Sequence, residues 1–207
     1  MSGDGVDYER LYDRLAPVYG FLWERIGPWL RYTRRALPLL EGTTRVLELG
    51  PGPGVLHREI AEGRPLTVGL DISQRMLQRA QERLRRANVQ ADLIRGDAVR
   101  LPMADASVDA VVATFVLSAI PDGVGALREA GRVLCPGGLV VLVDAGYPSD
   151  GNLGGRFLAW LWTLFGDVLR DEAELMRQAG LEVVEREEFG AFRGIRLVVG
   201  RKPLNTH

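Results

Sequence analysis

The sequence predicts an open α/β fold: a mostly parallel sheet flanked by helices, with an antiparallel C-terminal hairpin at its edge and an N-terminal helical cap. Three observations carry this. From residue 45 onward, short β-rich runs at 45–49, 66–70, 91–95, 108–115 and 138–144 alternate with helical patterns at 54–62, 73–87 and 122–134, which is the alternation of right-handed crossover units. Arg45 to Gly54 reads R-V-L-E-L-G-P-G-P-G, a buried strand running into a glycine turn and then a helix. Asp71 closes the next strand, seventeen residues past Gly54.

In chain order, residues 1–40 form the expected cap. Tyr8, Leu11, Tyr12 and Leu15 are spaced along one helical face, Pro17 ends that helix, and a second amphipathic piece carries Tyr19, Phe21, Leu22, Trp23, Ile26, Trp29 and Leu30. Arg31, Arg34 and Arg35 make a basic cluster before Pro38. The core is expected over 45–145, where Ser73 is placed to N-cap the long arginine-rich helix and a turn joins Ala98 to Ser107. Gly146 to Gly155 reads as a linker because four glycines and a proline fall within ten residues. It opens a substrate-side insertion over 146–170, in which Phe157 to Phe165 carries four aromatics. The remainder, 171–207, reads as a helix from Asp171 to Gln178, stopped at Gly180, followed by strands near 182–188 and 194–200. Eleven of the fifteen aromatic residues lie in the two segments outside the predicted core, so those segments are expected to cover something.

Length and composition bound the function. A chain of 207 residues with 46% hydrophobic and 26% charged residues supports one sizeable core. A net charge of −1 offers no global attraction for nucleic acid. Cys135 is the single cysteine, which excludes an internal disulfide and a cysteine-based zinc cluster and fits a reducing cytoplasm. The first ten residues lack the basic and apolar regions of a signal peptide. Apolar runs such as Phe157 to Phe165 fall short of the roughly 20 residues a spanning helix needs. The expectation is a cytoplasmic protein that touches the inner membrane surface without crossing it.

The glycine turn is shaped for a ligand. Glycine lets backbone approach a bound molecule closely, while Pro51 and Pro53 stiffen the turn. Glu48 and Asp71 supply acceptors for a molecule bearing amino and hydroxyl groups, which points to a nucleoside-like cofactor. A dinucleotide fingerprint would need glycine at 55 or 57, where Val55 and His57 stand.

E-x-G-x-G-x-G with a later strand-end Asp instead resembles class I S-adenosylmethionine-dependent methyltransferases of Rossmann-like fold. The resemblance extends through G-L-D-I-S-Q-R-M-L, R-G-D-A-V-R-L-P-M-A-D-A-S-V-D and L-R-E-A-G-R-V-L-C-P-G-G-L-V-V-L-V-D, over about Tyr8 to Pro203. It implies that Glu48, Gly50, Gly52 and Gly54 surround the methionine part of S-adenosylmethionine, and that Asp71 binds the ribose hydroxyls. It further implies that Ile72 and Met76 flank the adenine, that Asp97 with Ala98 reads its edge, and that Thr114 stands at the strand end facing the methyl. A turn or capping role for Asp97 remains the structural alternative.

The sequence departs from many relatives at Ser118 and Ala119, where they carry histidine. Only His57 and His207 exist in the chain. His57 is expected to be solvated or capping, and Cys135 structural. No metal is expected, and a histidine-based triad is disfavoured. Methyl transfer from a sulfonium asks the protein for orientation and a dry pocket. Tyr12, Tyr19 and Tyr147 could hold an acceptor amine, or simply pack.

Two branches of the family open with Y-x-x-x-A-P-x-Y, present here from Tyr12 to Tyr19: quinone-biosynthesis C-methyltransferases and bacterial phospholipid N-methyltransferases. Both imply a lipophilic acceptor. Phosphatidylethanolamine is the expected substrate, with Arg193 or Arg196 meeting the lipid phosphate and Trp160 in the cap. A quinone, a soluble small molecule, and a binding module without chemistry remain alternatives. Nucleic acid is not expected as a partner.

Overall fold

The structure, a computed structural model, describes residues 27–163 and 168–204. Tyr8 to Trp23, hence both Tyr12 and Tyr19, lie outside the described residues, as do Phe165 and His207. The chain enters through α1 (Gly27–Thr33) and a 3-10 turn (Arg34–Leu40) that contains Pro38. Proline removes a donor there, so the expected helix through this stretch tightens instead. The core follows as β1 (Arg45–Leu49), α2 (Val55–Ala61), β2 (Leu66–Asp71), α3 (Gln74–Ala87), β3 (Asp92–Arg95), β4 (Val108–Thr114), α4 (Gly123–Val133) and β5 (Leu134–Ala145). The chain ends through α5 (Leu153–Thr163), α6 (Glu172–Gln178), β6 (Glu182–Phe189) and β7 (Ile195–Arg201).

The seven strands lie in the order β3-β2-β1-β4-β5-β7-β6, with β7 antiparallel to both β5 and β6 and every other pair parallel. This is the expected parallel sheet with an antiparallel hairpin at one edge. Strand order reverses between β1 and β4, so a crevice opens at their carboxyl ends.

Alternation along the strands divides the core between two faces. Leu47, Leu49, Val111 and Ala113 pack with Leu127, Ala130, Ala173 and Met176 of α4 and α6. Their neighbours Val46, Ala110 and Val112 pack with Ala36, Leu40, Leu56 and Ile60 on the opposite face. Ser73 caps α3 as expected, its Oγ accepting the Met76 amide at 3.3 Å.

Three boundaries differ from expectation. β5 begins at Leu134 rather than near 138, with a register shift against β4 between Val108 and Ala110 that absorbs the Cys135 to Gly138 stretch. β4 stops at Thr114 because Phe115 turns into the left-handed region, φ 53°. The glycine linker yields to α5 at Leu153, inside its expected span. Two of the basic cluster are partnered: Arg34 donates to Glu59 at 2.6 and 2.8 Å, and Arg35 pairs with Glu187 and lies over the Phe189 ring.

Candidate active site

The carboxyl ends of β1, β2 and β4 converge on one cavity of about 530 Å³, within the range that holds a small-molecule ligand. Glu48, Gly50 and Gly52 line it from β1 and its turn, and Asp71, Ile72 and Met76 from β2 and the start of α3. Asp97, Ala98 and Thr114 line it from the ends of β3 and β4. Nine of the ten residues assigned to the cofactor from sequence therefore share one cavity. Gly54, the tenth, stands behind it: its φ is +76° and an added Cβ would fall 2.8 Å from the Ala80 Cα. Its place is to let α2 lie against α3.

The Asp71 carboxylate is held in place by two backbone amides. Its Oδ2 accepts the Gly52 amide at 3.1 Å and its Oδ1 the Ser73 amide at 2.9 Å, which fixes the carboxylate plane and ties the glycine turn to β2. Burial pushes its carboxyl up to about 6, against the pull of these amides. Asp97 Oδ1 accepts the Val99 amide at 3.1 Å, so the residue makes its own turn while also lining the cavity.

Glu48 is buried and bonded to His57, whose Nδ1 lies 2.9 Å from Glu48 Oε2. The two side chains thus partner each other inside the protein. This corrects the expectation of a solvated or capping histidine: His57 is fully buried, on the inner face of α2 with Ile60 and Ala61. The i, i+3, i+4 spacing of those three residues was the signal that could have placed it.

The remaining wall is mostly apolar, with Thr33 and Ser73 its polar side chains. Trp29 and Leu30 enter from α1, and Phe115, Val116, Ala119, Ile120 and Pro121 from the loop after β4. Trp29 meets Phe115 edge-on at 5.0 Å and Trp162 of α5 at 5.1 Å, while Phe115 and Trp162 stack at 6.3 Å. The aromatic patterning of the sequence covers Trp29 and Trp162 but not Phe115, which a lone position after β4 does not mark as a wall residue. No Lys or Arg lines the cavity among the described residues.

Other expected residues stand elsewhere. Arg196 is 5% exposed and paired with Glu172 at 3.1 Å; a guanidinium spent inside the protein is not available to a lipid phosphate, and that expectation is corrected. Arg193 is exposed outside the cavity lining, 3.6 Å from Asp150 and 3.8 Å from Glu188. Trp160 is exposed on α5 beside Phe157, and Tyr147 is exposed after β5; neither lines the cavity. Ser118 turns inward, its amide and Oγ donating to Asp144 at 3.0 and 2.9 Å. Cys135 is half-buried, with Sγ 3.2 Å from an Arg45 guanidinium nitrogen and 3.1 Å from the Ala106 carbonyl, a packing role. No group of three metal-ligating side chains occurs among the described residues, and none of their helices is long and apolar enough to cross a membrane.

Comparison with known proteins agrees with this geometry. Residues 47–142 match a family model described as a methyltransferase domain. A demethylmenaquinone methyltransferase of Tropheryma whipplei (strain Twist) is 36% identical over 155 residues, covering 74% of this chain and 60% of the relative. One of Corynebacterium glutamicum (strain R) is 32% identical over 164 residues, covering 79% and 67% respectively. The chain thus spans about three fifths of the length of the Tropheryma relative. Among solved structures, phosphoethanolamine N-methyltransferase 2 of Haemonchus contortus, in complex with S-adenosyl-L-methionine, superposes with a TM-score of 0.78 at 18% identity, covering 98% of this chain and 61% of that one. The [4+2]-cyclase SpnF superposes at 0.71 with 21% identity, covering 84% and 81%. Likeness at this identity speaks for the fold and not for the chemistry built on it.

Proposed function

The chain belongs to the class I S-adenosylmethionine-dependent methyltransferases, and from that premise we propose that it C-methylates the reduced form of a demethylated quinone of the menaquinone type. The observation that carries this reading is the acceptor side of the cavity, where Trp29, Phe115, Val116, Ile120 and Pro121 offer apolar and aromatic surface with no cation among the described residues. A flat fused ring stacks on such a wall. A phosphate-bearing headgroup would find no cationic partner among the described lining residues, and burying its charge unpaired is costly. Phosphatidylethanolamine, the acceptor expected from sequence, loses further support because Arg196 is spent on Glu172. The names of the Tropheryma and Corynebacterium relatives favour the quinone.

The residues fit S-adenosylmethionine: a carboxylate held by two amides suits vicinal hydroxyls, and a glycine turn flanked by buried Glu48 leaves room for an amino acid group. When bound, the cofactor supplies a sulfonium methyl that an electron-rich ring carbon takes by in-line displacement, leaving neutral S-adenosylhomocysteine and a ring proton for solvent. Asp71 would orient the ribose, and Asp97 with Ala98 the adenine. Ile72 and Met76 would exclude water from the adenine faces. The aromatic wall would hold the acceptor ring in one plane, which is most of what such a displacement asks of a protein. Tyr12 and Tyr19 are candidates for contact with the acceptor hydroxyls, whereas Tyr147 stands outside the cavity lining, and lipophilic acceptors make contact with a membrane surface part of the proposal.

The experiment is turnover with methyl-labelled cofactor on a reduced demethylated naphthoquinone, against anionic liposomes containing phosphatidylethanolamine, both resolved by product mass. A methylated quinol with an unmodified headgroup is expected. Methylated headgroup with no methylated quinol would reinstate the phospholipid reading.

A further inference from the structure

The cavity wall from Val116 to Pro121 has little internal means of keeping its shape. It leaves β4 through the left-handed Phe115, forms one short 3-10 turn (Leu117–Ala119), and ends where Asp122 caps α4. Its carbonyls are held from outside the cavity. Arg170, half-buried just ahead of α6, donates from Nη1 to the Pro121 carbonyl at 2.9 Å and from Nη2 to the carbonyls of Leu117, at 3.3 Å, and Ile120. The Val168 amide donates to the Ser118 carbonyl at 2.8 Å, and Asp144 holds Ser118 from the opposite side. A Cβ on Gly123 would stand 3.1 Å from Arg170 Nη1, so the first residue of α4 leaves space for the guanidinium.

We propose that Arg170 is a positioning residue for the acceptor: one guanidinium gathers three backbone carbonyls of the loop after β4 and so fixes the wall against which the acceptor lies. Arg170 itself is not part of that wall. Only arginine presents enough donors in a rigid plane to serve three carbonyls at once; a lysine ammonium is a compact point that cannot span them. Without it, the Ile120 and Pro121 carbonyls must find water or move, while the Leu117 carbonyl keeps only the Ile120 amide at 3.2 Å. A shift of about 1 Å in the surface that orients a reactant is enough to lower turnover by one to two orders of magnitude. Selectivity for the acceptor would then depend on Val168 and Arg170, ahead of α6, as well as on the cavity lining.

The inference deepens the quinone reading, and its test separates the two. Arg170→Ala, Arg170→Lys and Arg170→Gln are made in the full chain. Amide hydrogen exchange at residues 118–120 is followed without substrate, cofactor affinity is measured by calorimetry, and KM and kcat are determined with the quinol. Arg170→Ala should speed exchange at those amides about 10-fold while β1 and β4 stay protected, and should raise acceptor KM about 10-fold with cofactor affinity changed less than about 3-fold. Arg170→Lys should recover part of the KM and less of the exchange protection. Unchanged exchange, or cofactor affinity falling as far as acceptor affinity, overturns the proposal. Faster exchange with no quinol turnover by wild type would overturn the quinone reading and leave the positioning of the loop standing. If Arg170→Ala does not fold, the lysine variant gives the same readouts with the charge retained.

Discussion

The Asp71 carboxylate joins the glycine turn to the end of β2. Its burial and its two amide donors leave a carboxyl raised to about 6, yet ribose hydroxyls need the ionised form as acceptor. Cofactor affinity should therefore fall as pH drops through about 6, in a step attributable to this group. Asp71→Asn should bind roughly 10 to 100-fold more weakly at pH 8, the loss expected for hydrogen bonds to a charged acceptor, and should lose that step. Calorimetric titration at several pH values checks both; an unchanged profile in the variant would remove Asp71 from the ribose. The acid was legible in the sequence because its spacing from the glycine turn is set by one crossover helix. For His57 only the burial was legible, from its helical spacing with Ile60 and Ala61; its partner was not, since that depends on Glu48 pointing into the same buried space.

At the scale of elements, the glycine turn separates two demands that the sequence presents alike. Gly52 has φ +53° but open space where a Cβ would go, whereas Gly54 combines φ +76° with the backbone of Ala80 at 2.8 Å. Gly52→Ala should cost about 1 kcal/mol, for the left-handed backbone alone. Gly54→Val adds a collision that only parting α2 from α3 relieves, and should cost roughly 3 kcal/mol or more. In a chain of this size that is a fall in Tm of about 6–12 °C against about 2–4 °C, read by scanning calorimetry. Equal losses would show that the packing of α2 on α3 does not depend on Gly54. Elements were readable wherever a period or a turn residue marks them, as at Ser73 and Gly180. The aromatic wall was not readable at that level, because Trp29, Phe115 and Trp162 come from three elements and meet only after the sheet has formed.

At the scale of the whole molecule, the antiparallel edge is joined to the parallel core through a buried charged cluster. Asp144 at the end of β5 stands opposite Arg196 of β7 in register, and Arg196 reaches Glu172 at the start of α6. Two acids thus share one guanidinium in a site closed to water. Burial pushes Glu172 up to about 8, opposed by Arg196 and assisted by Asp144, and burial raises Asp144 as well, opposed by its bonds to Ser118 and Ala145. Because the folded pKa of Glu172 lies above its unfolded value, the native state holds an extra proton in the interval between them. Its contribution to stability is full below the unfolded value and is lost as pH rises through about 8. Wild-type stability should therefore decline between pH 5 and pH 8, by on the order of 1–3 kcal/mol from this group. Glu172→Gln keeps the volume and removes the ionisation, so the variant should be more stable than wild type at pH 8 and should show a shallower slope. The slope that remains belongs to Asp144 and to Asp71, which is also raised. Parallel curves of Tm against pH would mean that Glu172 stays ionised beside Arg196 throughout. The β7–α6 junction would then be held by a full ion pair, and replacing Glu172 would weaken the edge hairpin at every pH.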